Sequence, residues 1–265
     1  QAVANWLDVK NREGIGAATL IAGIQRGGLF GQRKVTIGSL RTAIEDLPQI
    51  SGICIAYEPM PEAKRASPEE PVAEGPPAAV PEVRMVRFVA GWYRDPGSDG
   101  TAVQRSDTGM ELGPSYVALK SNWDSRGIAD PIVSEPVPGD GGMTVQYACP
   151  IVTNDRFYGA LQVERRLSDL RSEIEPLAQG GRVDIVVVSP GGRVIAASNG
   201  TARAFASDPA NWAGQALSAT DGARTISRVL AMGAAAGASA LDDAAARGRS
   251  FYSLATAPTG GWTVV

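Results

Sequence analysis

No histidine occurs anywhere in the 265 residues, so carboxylates are the groups left for general acid and base work. Glu135 and Asp140, with Asp124 and Asp130 nearby, are close enough along the chain to share a cleft. Two carboxylates facing each other roughly 5 to 9 Å apart are what glycoside hydrolysis requires. A histidine-free hydrolase using Glu135 and Asp140 is one expectation, and acidic loop residues that simply meet water are the other. The missing imidazole removes Ser-His-Asp and Cys-His nucleophilic sites, HExxH zinc sites and a phosphoacceptor histidine.

Cys54 and Cys149 lie far apart and form no CxxC pair, so no zinc knuckle or redox motif is written here, and neither a metal nor a cofactor is expected. They read as small buried apolar residues, with a disulfide as the alternative in an oxidising compartment. The runs GGLFG and GAAAGA lack the strand, GxGxxG, helix context that gives glycines a phosphate-binding role. With 25 Lys and Arg against 28 Asp and Glu the net charge is −3, which supplies no basic excess for phosphate contacts; nucleic acid is not an expected partner.

The aromatic residues point to binding instead. Trp92, Tyr93, Tyr116, Trp123 and Tyr147 fall in one stretch with Arg94, Glu135 and Asp140. Aromatic walls with one or two charges hold polar or cationic small molecules by apolar burial, cation–π attraction and charge-assisted hydrogen bonds. Rings that fill a core poor in aromatics are the plainer alternative for any one of them.

These residues need elements to position them. From Gln1 to Leu47 the pattern is helical: Ala17, Leu20, Ile21 and Ile24 form one stripe and Ile37, Leu40, Ile44 and Leu47 another, with Gly27, Gly28 and Gly31 between them and Pro48 ending the run. A strand follows at Gly52 to Tyr57. Residues 60–82, rich in Pro, Ala and Glu, read as an exposed insertion. A strand-like run from Val83 to Trp92, a short helix at Pro114 to Ser121, and a hairpin of Thr144 to Val152 and Arg156 to Glu164 come next, turning at Thr153-Asn154-Asp155. A helix from Leu167 to Ala178, with Ser168 as its cap, leads to a second β-rich unit from Arg182, with turns at Pro190-Gly191-Gly192 and Pro258 to Gly261. No apolar run reaches the ~20 residues of a bilayer span. The chain starts inside a helical pattern and stops inside the strand-like GGWTVV, which reads as an excised piece of a longer protein.

In this order the segments PQISGICIAYEP, WYRD, SYVALKSNWD and VSEPVPGDGGMTVQYACPIVTNDRFYGALQVERRLSDL resemble the membrane-distal module of double Cache sensor domains, and DIVVVSPGGRVIAAS through TGGWTVV resembles their membrane-proximal module. The likeness covers nearly the whole chain and is closest to the domains on PP2C-type serine phosphatase regulators. It implies an α+β fold: a long N-terminal helix over 1–47, a PAS-like module over 48–166, a linker helix over 167–181 and a second PAS-like module over 182–265, each module with a central antiparallel sheet. The implied role is non-enzymatic: the extracytoplasmic, periplasmic input of a bacterial inner-membrane receptor. It would be anchored by segments outside this chain, with its effector beyond the membrane, and would form a homodimer through the N-terminal helix.

The resemblance carries the ligand site onto Tyr93, Arg94, Tyr116, Trp123, Asp140 and Tyr147. Ser121 and Asp124 stand where amino-acid-binding members have Arg and Tyr, so the usual carboxylate clamp is missing unless Arg94 or Arg126 replaces it. An amine, an amino acid or another small metabolite is the implied ligand. A dimerisation module without a small ligand is the remaining alternative.

Overall fold

The computed structural model describes residues 1–24, 33–61, 85–95, 101–106, 109–139, 141–178, 183–199, 213–217, 226–227, 230, 238–243 and 248–265. Gly27, Gly28, Gly31, Asp140 and nearly all of the Pro-rich 60–82 stretch lie outside them.

The chain runs through α1 (Ala2–Ile24) and α2 (Arg33–Asp46) into strands β1 (Gly52–Tyr57), β2 (Met60–Pro61), β3 (Met85–Val86), β4 (Val89–Arg94) and β5 (Ala102–Arg105). Helix α3 (Pro114–Arg126) precedes β6 (Ile132–Val133), β7 (Val137–Gly139) and the long hairpin of β8 (Gly142–Thr153) and β9 (Arg156–Arg166). Helix α4 (Leu167–Ile174) then leads to β10 (Val186–Val188), β11 (Val194–Ala197), β12 (Ala238–Asp243), β13 (Gly248–Ser253), β14 (Ala255–Ala257) and β15 (Trp262–Val264). The fold is α+β and PAS-like. The first sheet is antiparallel in the order β5-β4-β1-β9-β8-β6, with β7 also paired to β8; the second has the order β11-β10-β15-β14. In the ribbon β12–β13, β13 falls in the strand-like run RSFYSLATA before the Pro258 turn, whereas β12 carries no strand signal in its Ala/Gly-rich surroundings.

The β8–β9 hairpin follows from local chemistry. Asn154 and Asp155 occupy its tip with φ of 49° and 52°, the left-handed region that these two short polar residues tolerate better than other non-glycine types. Alternation along the strands then decides which side chains share a face. Val145, Tyr147, Cys149, Leu161 and Val163 join the core on the α1 and α2 side, while Ala148 and Ala160 join a second cluster on the other side.

Both helices lie on that first face. Buried Ala4, Leu7, Asn11, Gly14, Ala18 and Ile21 form a continuous stripe along α1 at intervals of three and four. The predicted stripe is displaced around the helix: Ile21 is buried, but Leu20 is 69% and Ile24 45% exposed. The long N-terminal helix is in two parts, α1 and α2, on either side of Gly27, Gly28 and Gly31. In one straight helix Glu13 and Asp46 would stand about 50 Å apart, yet both line one apolar groove between α1 and α2, so the helices lie side by side.

Helix α3 runs five residues beyond its predicted end, to Arg126, where Gly127 adopts φ 66° and returns its N–H to the Trp123 carbonyl. Ser168 does not cap α4. Arg166 holds the cap position, and the Ser168 hydroxyl turns to Asp169 inside the first turn. The first half of α1 continues onto β14 and β15, so Leu7, Ala257 and Trp262 belong to the same core as Ile55 and Leu161. Among the described residues no helix is long and apolar enough to cross a membrane, and no group of three His, Cys, Asp or Glu could hold a metal ion.

Candidate functional site

On the face of the first sheet away from α1, a polar cluster interrupts the apolar run of the strands. Gln146 of β8 and Gln162 and Glu164 of β9 are buried, at 9%, 2% and 7% exposure. The strand register sets Gln146 opposite Glu164, and Gln162 is two residues from Glu164 on the same strand. Gln162 Nε2 donates to Glu164 Oε1 at 2.9 Å, and Gln146 Nε2 donates to the same oxygen at 3.2 Å. Ser115, in the first turn of α3, donates its hydroxyl to Gln146 Oε1 at 2.8 Å. Gln162 Oε1 is buried with no hydrogen-bond partner.

These groups form the floor of a cleft of about 440 Å³. Its walls are Tyr93, Arg105, the Gly109–Met110 and Gly113–Pro114 turns and the strand Val137–Gly139. The Tyr93 ring can lie against the sheet because two glycines leave bare backbone beneath it. A Cβ on Gly52 would meet that ring at 2.7 Å, and one on Gly91 would meet it at 2.8 Å. The Arg105 guanidinium sits over the same ring, 5.3 Å from its centroid, which brings a cation to the cleft.

A second cleft of about 560 Å³ lies along α3 and is lined by Glu58, Arg87, Tyr116, Lys120 and Asp124, among others. Its charges answer one another. The Tyr116 hydroxyl donates to Glu58 and accepts from Arg87 Nη1 at 3.0 Å, and Lys120 approaches Glu58 at 4.0 Å. Burial first, then the Glu58 carboxylate, push the Tyr116 hydroxyl above the ordinary tyrosine range. This network ties α3 to the end of β1.

Of the residues expected at the site, the structure brings Tyr93 into the first cleft and Tyr116 into the second. Trp123 packs beside Phe157, with ring centroids 6.5 Å apart. Arg94 faces away: its guanidinium donates to the Ile50 carbonyl at 3.0 Å and to the Ile44 carbonyl, pinning the end of α2 to the sheet. Tyr147 also lies on the helix face, with its ring against Gly14 and its hydroxyl on Asn11 Oδ1 at 3.1 Å. Asp140 is outside the described residues.

The expected carboxylate pair does not form a shared cleft through Glu135, which accepts from the Ser189 hydroxyl and from the Gly191 N–H at 2.9 Å, in the second sheet unit. Cys54 and Cys149 form no disulfide; they are buried on opposite faces of the sheet and separated by β9. Two strand spacings put their backbones about 10 Å apart, beyond disulfide reach. The residues the sequence reading missed are Gln146, Gln162 and Glu164. Their signal was polar side chains at alternate positions of strongly apolar strands.

No family model matches the sequence, and no curated protein matches it. Solved structures do. The extracellular domain of a protein described as a histidine kinase superposes with a TM-score of 0.70 at 18% identity, over 100% of this chain and 89% of that one. The periplasmic sensory domain of a Campylobacter jejuni chemoreceptor gives 0.62 at 13% identity, over 98% and 89%. The ligand-binding domain of a Pseudomonas aeruginosa PAO1 amino-acid chemoreceptor, in complex with GABA, gives 0.54 at 12% identity, over 98% and 94%. At these identities the likeness is one of fold: the chain has the double Cache fold of extracellular sensor domains of kinases and chemoreceptors.

Proposed function

We propose that the chain is the extracytoplasmic sensing domain of a bacterial transmembrane receptor, and that the cleft over β8 and β9 binds a small metabolite presenting N–H donors, above all an ammonium group. The observation that carries this reading is the unpartnered Gln162 Oε1 beside the Glu164 carboxylate. A buried acceptor left unpaired costs about 1–3 kcal/mol, so this oxygen favours a ligand that brings a donor to it. An ammonium group would meet Gln162 and Glu164 together and would bring its own charge-assisted bond. Arg105 supplies a cation for an anionic end of the same molecule, the role for which the sequence offered Arg94 or Arg126. GABA, held by one structure of the same fold, has both ends.

The effector lies outside this chain. Binding would act by favouring one of two arrangements of the domain. A thermal-shift screen of primary amines and amino acids against matched acids lacking nitrogen tests the reading. An amine at 100 times its Kd adds about 2.7 kcal/mol of stability. Stabilisation by ammonium compounds is expected, and stabilisation by nitrogen-free acids alone, or by nothing, overturns the proposal.

Pairing of two copies through the N-terminal helices is a compatible second reading, favoured by the groove of about 900 Å³ between α1 and α2 and by the exposure of Leu20, Ile24 and Val35 at it. Light scattering over a concentration series checks it: Leu20→Glu should abolish any dimer seen with the unmodified chain.

A further inference from the structure

The two sheet units meet at a segment that also walls the cleft. Ser134 clips this segment to β8: its N–H donates to the Gln146 carbonyl at 2.8 Å, and its hydroxyl accepts from the Gln146 N–H at 2.9 Å. The Gln146 side chain is itself in the cleft, on Glu164. The next residue along, Glu135, turns the opposite way and holds Ser189 and Gly191 in the turn between β10 and β11. Two residues further on, Val137, Pro138 and Gly139 form one wall of the cleft. On the other flank Val133 lies against Gly260, in the turn between β14 and β15, where an added Cβ would stand 3.3 Å from it.

The Ser189–Gly191 turn is shaped to this one carboxylate. Ser189 Oγ accepts from the Arg193 N–H at 3.0 Å, which leaves its own proton for Glu135. A Cβ on Gly191 would lie 2.8 Å from Glu135 Cδ, so the carboxylate approaches bare backbone. Both partners donate to a charged acceptor, the stronger class of hydrogen bond.

We propose that the segment Ile132–Gly139 is the link through which filling of the cleft is felt in the second sheet unit, with Glu135 as the contact that carries it. The proposal rests on the cleft being the ligand site. With the segment clipped at Ser134, a displacement at Val137 is passed to Glu135, two residues away. The second unit then responds through its β10–β11 hairpin, whose turn Glu135 holds.

The test fills the cleft covalently and so needs no natural ligand. Val137→Cys is treated with benzyl methanethiosulfonate: the cysteine thiolate attacks the reagent's sulfenyl sulfur, a mixed disulfide forms and methanesulfinate leaves. Dithiothreitol reverses the labelling. Cys54 and Cys149, at 0% and 1% exposure, are shielded from the reagent. Backbone amide exchange of residues 186–197 is followed by mass spectrometry, with the β8–β9 hairpin as internal reference.

Labelling should change exchange in residues 186–197 several-fold, reduction should restore it, and the response should be lost when either Glu135→Ala or Gly191→Ala is added. No change on labelling with Glu135 intact, or the same change in both added variants, overturns the proposal. If Glu135→Ala fails to fold, Gly191→Ala alone decides the outcome. A blank metabolite screen alongside a working link would refute the ligand reading only. Ammonium binding alongside a silent hairpin would refute the link only.

Discussion

Asn11 Nδ2 donates to the carbonyl oxygen of Thr259 at 2.7 Å, joining residues 248 positions apart. The other end of the same side chain accepts from the Tyr147 hydroxyl at 3.1 Å. One fully buried amide on α1 thus spans from the first sheet to the β14–β15 turn of the second. Asn11→Ala removes both bonds, one to the buried Tyr147 hydroxyl and one to the half-buried Thr259 carbonyl, and should cost about 1–3 kcal/mol. Urea denaturation checks this, and a loss under about 0.5 kcal/mol would mean the bridge is not formed in solution.

Asp8 makes a second tie to the same turn. Its Oδ1 accepts from the Thr259 N–H at 2.7 Å, and Arg12 pairs with its other oxygen at 2.5 Å. The Thr259 hydrogen bonds first, and the Arg12 charge after them, hold its carboxyl below the usual value of 3.8. A carboxyl with a depressed folded pKa contributes stability that is whole above the unfolded value and lost as pH falls through the folded one. Asp8→Asn should therefore be less stable than the unmodified chain at pH 7, and the gap should close below about pH 4. Melting curves across that range decide the matter, and a gap independent of pH would show that the charge plays no part.

Gly14 and Gly16 lie on one helix and answer differently to a methyl group. A Cβ on Gly14 would stand 2.7 Å from the Tyr147 ring, whereas one on Gly16 meets nothing within 4 Å. Gly14→Ala should cost about 1–3 kcal/mol by pushing α1 off the sheet. Gly16→Ala should instead gain up to about 1 kcal/mol from helix propensity. Equal effects of the two in thermal melts would contradict the close approach of α1 to β8.

Those elements were largely legible from the sequence because their signals are local. The turn at Asn154 and Asp155, the apolar run of β1 and the stop at Pro48 each need only a few neighbouring residues to be read. The site was harder because choosing a face is a tertiary matter. Alternation separates Tyr147 from Gln146 and Tyr93 from Arg94, but it does not say which side α1 will cover. The cluster of aromatic and charged residues, and the family resemblance, suggested that Tyr147 and Arg94 face a ligand, whereas the helices took that face. Glu135 shows the same limit: nothing near it in sequence announces Ser189, 54 positions away.

Gln162 offers the sharpest separation of stability from recognition. Its Oε1 is a buried acceptor without a protein partner, while its Nε2 serves Glu164 at 2.9 Å. Gln162→Leu removes both: the unpaired oxygen, a burden of about 1–3 kcal/mol, and a bond to a charged group, a gain of similar size. The two nearly cancel, so the variant should fold with stability within about 1 kcal/mol of the unmodified chain. Ammonium binding has no such cancellation, because the oxygen meant to receive the donor is gone. Affinity for the stabilising amine should fall at least tenfold, about 1.4 kcal/mol, by calorimetric titration. A folded Gln162→Leu that binds the amine as tightly as before would show that the ligand does not use the floor of this cleft.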